Sequence, residues 1–293
     1  MDAVPITRYD FASQFPRHGT FAAIGRRACG KSRLILDVMY NVRDRFDLGI
    51  AFTTTTPMAE ALAEIMPRGC IFTKFNVDRI KTLLDEQELM MARKKPRSVF
   101  LLLDDCGFDT KSMNSAPMKE LFMNGRHKYI TFLCALQTPM ALKPDMRMQI
   151  DIVVALKENQ VANRRRLHDA FFGVIPSWHD FERLFMAFTQ NYGALLVDQT
   201  VQSTDLTKVI YHYKAQLDLP KFVCISRKYV KIWEQIKKSQ REVMMLKEKK
   251  IDEERKQKLV ETAKQRGEKI RQVHTAVNAR NGDPNAKIVL SSF

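Results

Sequence analysis

The run Gly25-Arg26-Arg27-Ala28-Cys29-Gly30-Lys31-Ser32 constrains this chain more than any other stretch, because it fits the pattern G-x-x-x-x-G-K-[ST] without exception. Two glycines let the backbone turn tightly enough to aim successive N–H groups at a phosphate chain. Lys31 adds positive charge at the outer phosphates, and the Ser32 hydroxyl is placed to ligand Mg²⁺. Chance produces such a match in about one chain of this length in a hundred, so the flanks decide its weight. Thr20–Ile24 ahead of it is short and apolar, as a buried strand is. Behind it, apolar residues at 34, 35, 38 and 39 mark one face of a helix. Strand, glycine loop and helix are the order that phosphate binding requires. A glycine-punctuated surface loop explains neither flank.

Hydrolysis of a nucleoside triphosphate needs a second feature, a carboxylate at a neighbouring strand end to hold Mg²⁺ and an acid to activate water. Ser98–Leu103 followed by Asp104-Asp105 supplies both. Its unbroken apolar run fits a parallel strand covered on both faces. Two acids at the carboxyl end lie where open α/β sheets bind ligands. Asp104 is assigned to the Mg²⁺ side and Asp105 to general base or water orientation, with a turn cap as the competing role for Asp105. A third strand, Tyr129–Leu136, ends at Gln137, whose amide could reach the γ-phosphate or the attacking water, or simply a loop carbonyl. Arg126 lies just before that strand. It is either a solvated basic turn or an arginine finger for a neighbouring subunit's nucleotide, a task for which Arg26 and Arg27 compete in cis.

Further strands are expected at Leu48–Phe52, Cys70–Phe72, Asp151–Leu156 and Ala194–Val197, with helices after Pro57 and over Val77–Arg93. Strands alternating with helices predict an α/β fold, a mostly parallel sheet sandwiched by helices. From Arg227 to Arg266 there is no Gly or Pro, and the composition shifts to Lys, Glu, Gln, Arg and Met. That reads as one long helix or a helical pair, with apolar positions that sustain no clean heptad. The expected division is a nucleotide-binding domain over 1–225 and a basic helical C-terminal extension over 226–293, broken near Gly282-Asp283-Pro284.

A net charge of +15 on 293 residues predicts attraction to a polyanion, nucleic acid first and an acidic membrane surface second. The last 68 residues carry 18 Lys and Arg against 9 Asp and Glu, a local +9. Arg164-Arg165-Arg166, and Lys143 with Arg147, are candidates for tracking a phosphate backbone, each weighed against a solvated helix face. No apolar run approaches the roughly 20 residues of a membrane span, and Met1–Pro5 lacks the pattern of a signal peptide. Five widely spaced cysteines (Cys29, Cys70, Cys106, Cys134, Cys224) without a C-x-x-C pair argue against zinc and against a disulfide framework, and fit a reducing compartment. Cys29, beside Lys31 at a helix start, has surroundings that favour a thiolate; its plainer role is a small loop residue.

Four stretches together resemble the DNA-packaging ATPases of large nucleocytoplasmic DNA viruses, the poxvirus-type branch of the FtsK/HerA P-loop NTPase superfamily. They are Gly25–Ser32, then Leu101-Leu102-Leu103-Asp104-Asp105-Cys106, then Gly125-Arg126-His127 leading to Gln137, and Val209-Ile210-Tyr211-His212-Tyr213-Lys214-Ala215. The resemblance covers roughly residues 15–215. It implies a RecA/FtsK-like fold, ATP with Mg²⁺, and a homo-oligomeric ring of five or six subunits. Such a ring threads double-stranded DNA into a preformed capsid, working with capsid or portal components. The implied location is the host-cell cytoplasm, its viral factory, or the virion. Residue by residue, the resemblance gives Lys31 and Ser32 to phosphate and Mg²⁺, Asp104 to Mg²⁺, Asp105 to water, Gln137 to sensing and Arg126 to a finger in trans. Gly25 through Gly30 complete the nucleotide cradle. Two features depart from the pattern. Many members of the wider superfamily carry Glu at the place of Asp105, and the paired Arg26-Arg27 is similar to viral terminase motors, where a loop arginine acts in cis. A RecA-type helicase on single-stranded nucleic acid and a nucleotide or nucleoside kinase use the same loop. A non-catalytic nucleotide-gated scaffold would have lost the acids, and both are present here.

Overall fold

Uninterrupted apolar runs set the middle of the sheet. The computed structural model describes residues 5–105 and 110–280; Cys106 and the Gly282-Asp283-Pro284 stretch lie outside them. Nine strands follow in chain order: β1 (Thr7–Arg8), β2 (Thr20–Ile24), β3 (Leu48–Thr53), β4 (Ile71–Phe72), β5 (Val99–Asp104), β6 (Ile130–Leu136), β7 (Ile152–Leu156), β8 (Gly193–Asp198) and β9 (Ile210–Lys214). They form one sheet in the order β1-β9-β8-β7-β2-β6-β5-β3-β4. Every residue of β2, β5, β6, β7 and β8 is buried, as strands covered on both faces must be. The two-residue strands β1 and β4 take the edges.

The strands from β7 through β2, β6, β5 and β3 to β4 pair in parallel. Beyond β7 the sheet changes direction. β8 pairs antiparallel with both β7 and β9, and β1 pairs parallel with β9. The reversal has a local cause. The helix Trp178–Phe188 leads into a tight turn in which the Gly193 N–H donates to the Gln190 carbonyl at 2.8 Å, and the chain re-enters the sheet pointing the other way. The sheet is thus parallel from β7 to β4 and mixed beyond β7.

Helices with local start signals cover the sheet. Asn76 accepts from the Asp78 N–H to cap Val77–Ala92, Ser177 caps Trp178–Phe188 through Asp180, and Pro57 lies in the first turn of Thr56–Ile65. One contiguous core fills one face of the sheet, with Phe52, Phe132, Phe172, Phe181 and Phe185 at 0–1% exposure. The described residues up to Val230 form one compact unit and those from Lys231 to Arg280 form another. The helix Arg227–Arg280 runs 54 residues, straight through Gly267, a length of about 80 Å at 1.5 Å per residue. No described helix is long and apolar enough to cross a membrane.

Candidate functional site

The loop that follows β2 is built on two glycines for two different reasons. A Cβ on Gly25 would stand 2.7 Å from Cys29 Sγ and 3.1 Å from Leu156 Cβ, so the loop closes over itself only without a side chain there. Gly30 has φ +99°, a left-handed conformation that glycine adopts without steric cost. The Gly25 N–H donates to the Leu136 carbonyl at the end of β6, which fixes the loop against its neighbour strand (3.0 Å). The helix Lys31–Val42 then begins. Lys31 is buried, and its ammonium donates to the carbonyls of Gly25 at 2.7 Å and Arg26 at 2.8 Å. Those two carbonyls hold the charge where phosphate oxygens can replace them.

Asp104 ends β5 in register with Thr53 of β3. Thr53 Oγ1 donates to Asp104 Oδ2 at 3.1 Å, and Ser32 Oγ to Oδ1 at 3.5 Å. Burial pushes the Asp104 carboxyl above its ordinary value. The Thr53 hydrogen bond opposes this, the neighbouring Asp105 charge adds to it, and Lys31 and Ser32 oppose it. Asp105 has φ +55°, which turns its side chain out of the strand line. Gln137, one residue past β6, donates its amide to Asp105 Oδ1 at 2.6 Å. All of these groups stand at the carboxyl ends of adjacent strands. A cavity of about 630 Å³ opens among Arg27, Lys31, Ser32, Thr54, Asp104 and Asp105. Ser32 and Asp104 present a hydroxyl and a carboxylate, the hard oxygen donors that suit Mg²⁺, which needs only one or two protein ligands beside phosphate. Among the described residues no group of three His, Cys, Asp or Glu could hold a metal.

Arg126 is not at this site. Its guanidinium pairs with Asp151 Oδ1, and Asp151 Oδ2 accepts the Thr20 N–H at 2.7 Å. Both contacts lie at the amino ends of β2 and β7, about 16 Å from Gly25 at 3.3 Å per strand residue. Arg26 and Arg27 are exposed on the loop itself. Two other expectations change. Burial pushes the Cys29 thiol up against the opposing charge of Lys31, so Cys29 is a loop residue and not a thiolate. Arg164 is buried, donating to the Glu158 and Asn159 carbonyls at 3.2 and 2.8 Å and to the Glu182 carboxylate at 2.6 Å. It is structural, and Arg165 lies over the Trp178 ring, so the triple arginine is no continuous phosphate track. Sequence reasoning passed over Thr53, whose signal was its place at a strand end before three more threonines. It also passed over Tyr192, an exposed ring beside the loop that belongs to no motif.

No family model matches the chain. The uncharacterized protein 088R of invertebrate iridescent virus 3 is 31% identical over 195 residues, a match covering 67% of this chain and 75% of that protein. The chain belongs to the 088R family of large nucleocytoplasmic DNA viruses. A second member of this viral family, the uncharacterized protein L437 of Acanthamoeba polyphaga mimivirus, is 26% identical over 203 residues, covering 66% and 71% of the two chains. The fold is seen in the genome packaging NTPase B204 of Sulfolobus turreted icosahedral virus 2 in complex with AMPPCP. That structure superposes with a TM-score of 0.52 over 69% of this chain and 100% of its own, at 16% identity. The fold expected from the sequence is that of B204, a viral genome packaging NTPase, and the expected kinship with large nucleocytoplasmic DNA viruses is borne out by the two viral relatives, both uncharacterized.

Proposed function

We propose that this chain is an ATPase motor that moves double-stranded DNA into a viral capsid, working as a ring of five or six copies. One observation carries the reading: Lys31, Ser32, Asp104 and Asp105 line one cavity at the ends of β2 and β5, and Gln137, at the end of β6, is hydrogen-bonded to Asp105. In the proposed cycle Lys31 leaves the loop carbonyls for the outer phosphates of ATP. Ser32 and Asp104 would hold Mg²⁺, which would supply positive charge to the phosphates. Asp105 accepts the proton of the attacking water, and Gln137 orients that water from the same carboxylate. The net charge of +15 favours a polyanionic track. The 31% identity to a DNA-virus protein, and the fold shared with a genome packaging NTPase, favour double-stranded DNA and a capsid or portal partner. Residues 1–225 would serve as the ATPase domain and 226–293 as a basic arm.

The test compares phosphate release from ATP with duplex DNA, single-stranded DNA and a nucleoside acceptor. Stimulation by duplex DNA with free phosphate as product is expected. Stimulation by single strands alone would make the chain a helicase, and phosphate appearing on the nucleoside would make it a kinase.

A further inference from the structure

Tyr192 is held beside the phosphate loop in a backbone conformation that tyrosine seldom takes. It follows Asn191 in the turn Gln190–Gly193, with φ of +50° at Asn191 and +61° at Tyr192. With the Gly193 N–H on the Gln190 carbonyl, this has the character of a type I′ turn, whose central positions favour Gly, Asn and Asp. The tyrosine takes no refuge in the core in exchange, since it is 69% exposed. Its ring edge lies 3.4 Å from the point where a Cβ on Gly30 would stand. It lines the cavity of Lys31 and Asp104 and also a neighbouring cavity of about 650 Å³, on the β7 side of the loop, with Arg26, Lys157, Asn159 and Asn191. A strained, exposed ring at the junction of two cavities contributes little to folding, and such strain is a mark of ligand sites.

We propose that Tyr192 stacks on the base of the bound nucleoside triphosphate, with the phosphates on the 25–32 loop and the base in the second cavity. The proposal rests on the nucleotide reading above and adds the half of the site that the loop motif does not describe. Arg27 lines both cavities, where the sugar joins the phosphates, and Asn159 and Asn191 offer amide donors and acceptors to the base edge. An aromatic face stacks on any base, so the ring supplies affinity and the amides the choice of base.

The experiment titrates the full-length chain, with Mg²⁺, against ATP and against inorganic tripolyphosphate, which has the charge but no base. Tyr192→Ala should weaken ATP binding about tenfold and leave tripolyphosphate binding unchanged, while Tyr192→Phe should bind both as the wild type does. Tyr192→Gly suits the turn, so it should raise the melting temperature while weakening ATP. That opposition of signs is one that a merely structural role does not produce. Equal ATP affinity for wild type and Tyr192→Ala would overturn the stacking alone, as would a parallel loss of ATP and tripolyphosphate. A wild type that binds neither ligand would overturn the nucleotide reading, and the stacking with it.

Discussion

In the proposed cycle the charges of Lys31 and Asp105 act at different stages, so their loss should be separable. Lys31→Ala removes the ammonium now held by the Gly25 and Arg26 carbonyls, so equilibrium titration should show ATP binding abolished. Asp105→Asn keeps the shape of the group that Gln137 contacts but not its basicity. ATP binding should persist while phosphate release falls, since a general base contributes about 10²–10⁴-fold. Turnover above about a tenth of the wild-type rate in Asp105→Asn would count against Asp105 as the base. These residues were legible in the sequence because fixed spacing and strand ends give them away. Tyr192 was not, because nothing in a short turn between a helix and a strand announces that a ring will reach Gly30, 162 residues earlier in the chain. Arg164 misled for a related reason. Three arginines in a row look like one face, but on a helix successive residues point about 100° apart, and one of the three faces the core.

At the scale of elements, the helix Lys31–Val42 is tied to β9 by the Tyr213 hydroxyl, which donates to Asp37 Oδ2 at 2.5 Å. Asp37 is fully buried, and burial pushes its carboxyl up against the opposing Tyr213 hydrogen bond, the Gln216 backbone, Arg8 and Arg33. The folded chain therefore keeps this proton to higher pH than the unfolded chain does. Above the ordinary carboxylate value the folded state binds more protons, and stability falls as pH rises through the raised value. Asp37→Asn removes the ionisation. Melting scans should show a gain of a few degrees at pH 7 that shrinks toward zero near pH 4. The buried strands were legible from their apolar runs, whereas β1 is two residues long, too short for any period to show. The antiparallel direction of β8 depends on the turn at Gln190–Gly193, and its apolar run is the same read in either direction. The long helix was legible from its missing glycines and prolines, though it continues through Gly267 to Arg280. Exposed Ile232, Ile236, Val243 and Met244 share one of its faces. A chain ending at Val230 keeps the unit with the core and loses most of the local +9. The slope of log DNA affinity against log salt should become shallower by several units; an unchanged slope would place the DNA contacts in the core.

For the whole molecule, the decisive geometry is that Lys31 and Arg126 lie at opposite ends of the same sheet. If Arg126 completes a neighbour's site, then Lys31→Ala and Arg126→Ala proteins, each inactive alone, should regain ATPase activity when mixed, because some interfaces pair an intact loop with an intact arginine. Arg26→Ala or Arg27→Ala mixed with Lys31→Ala should regain none, since both defects lie on one subunit's loop. An inactive Arg126→Ala mixture, with mixed assemblies verified by mass, would hand the role to the loop arginines. The separation of the two ends has an arithmetic consequence. Subunits that give from one end and receive at the other join head to tail, and a row of n such subunits contains n − 1 finished sites, with an unanswered loop at one end and an idle arginine at the other. Only closure into a circle removes the deficit. A free subunit, whose Arg126 is occupied by its own Asp151, would then be silent by construction, and ATP consumption would report that the circle is complete.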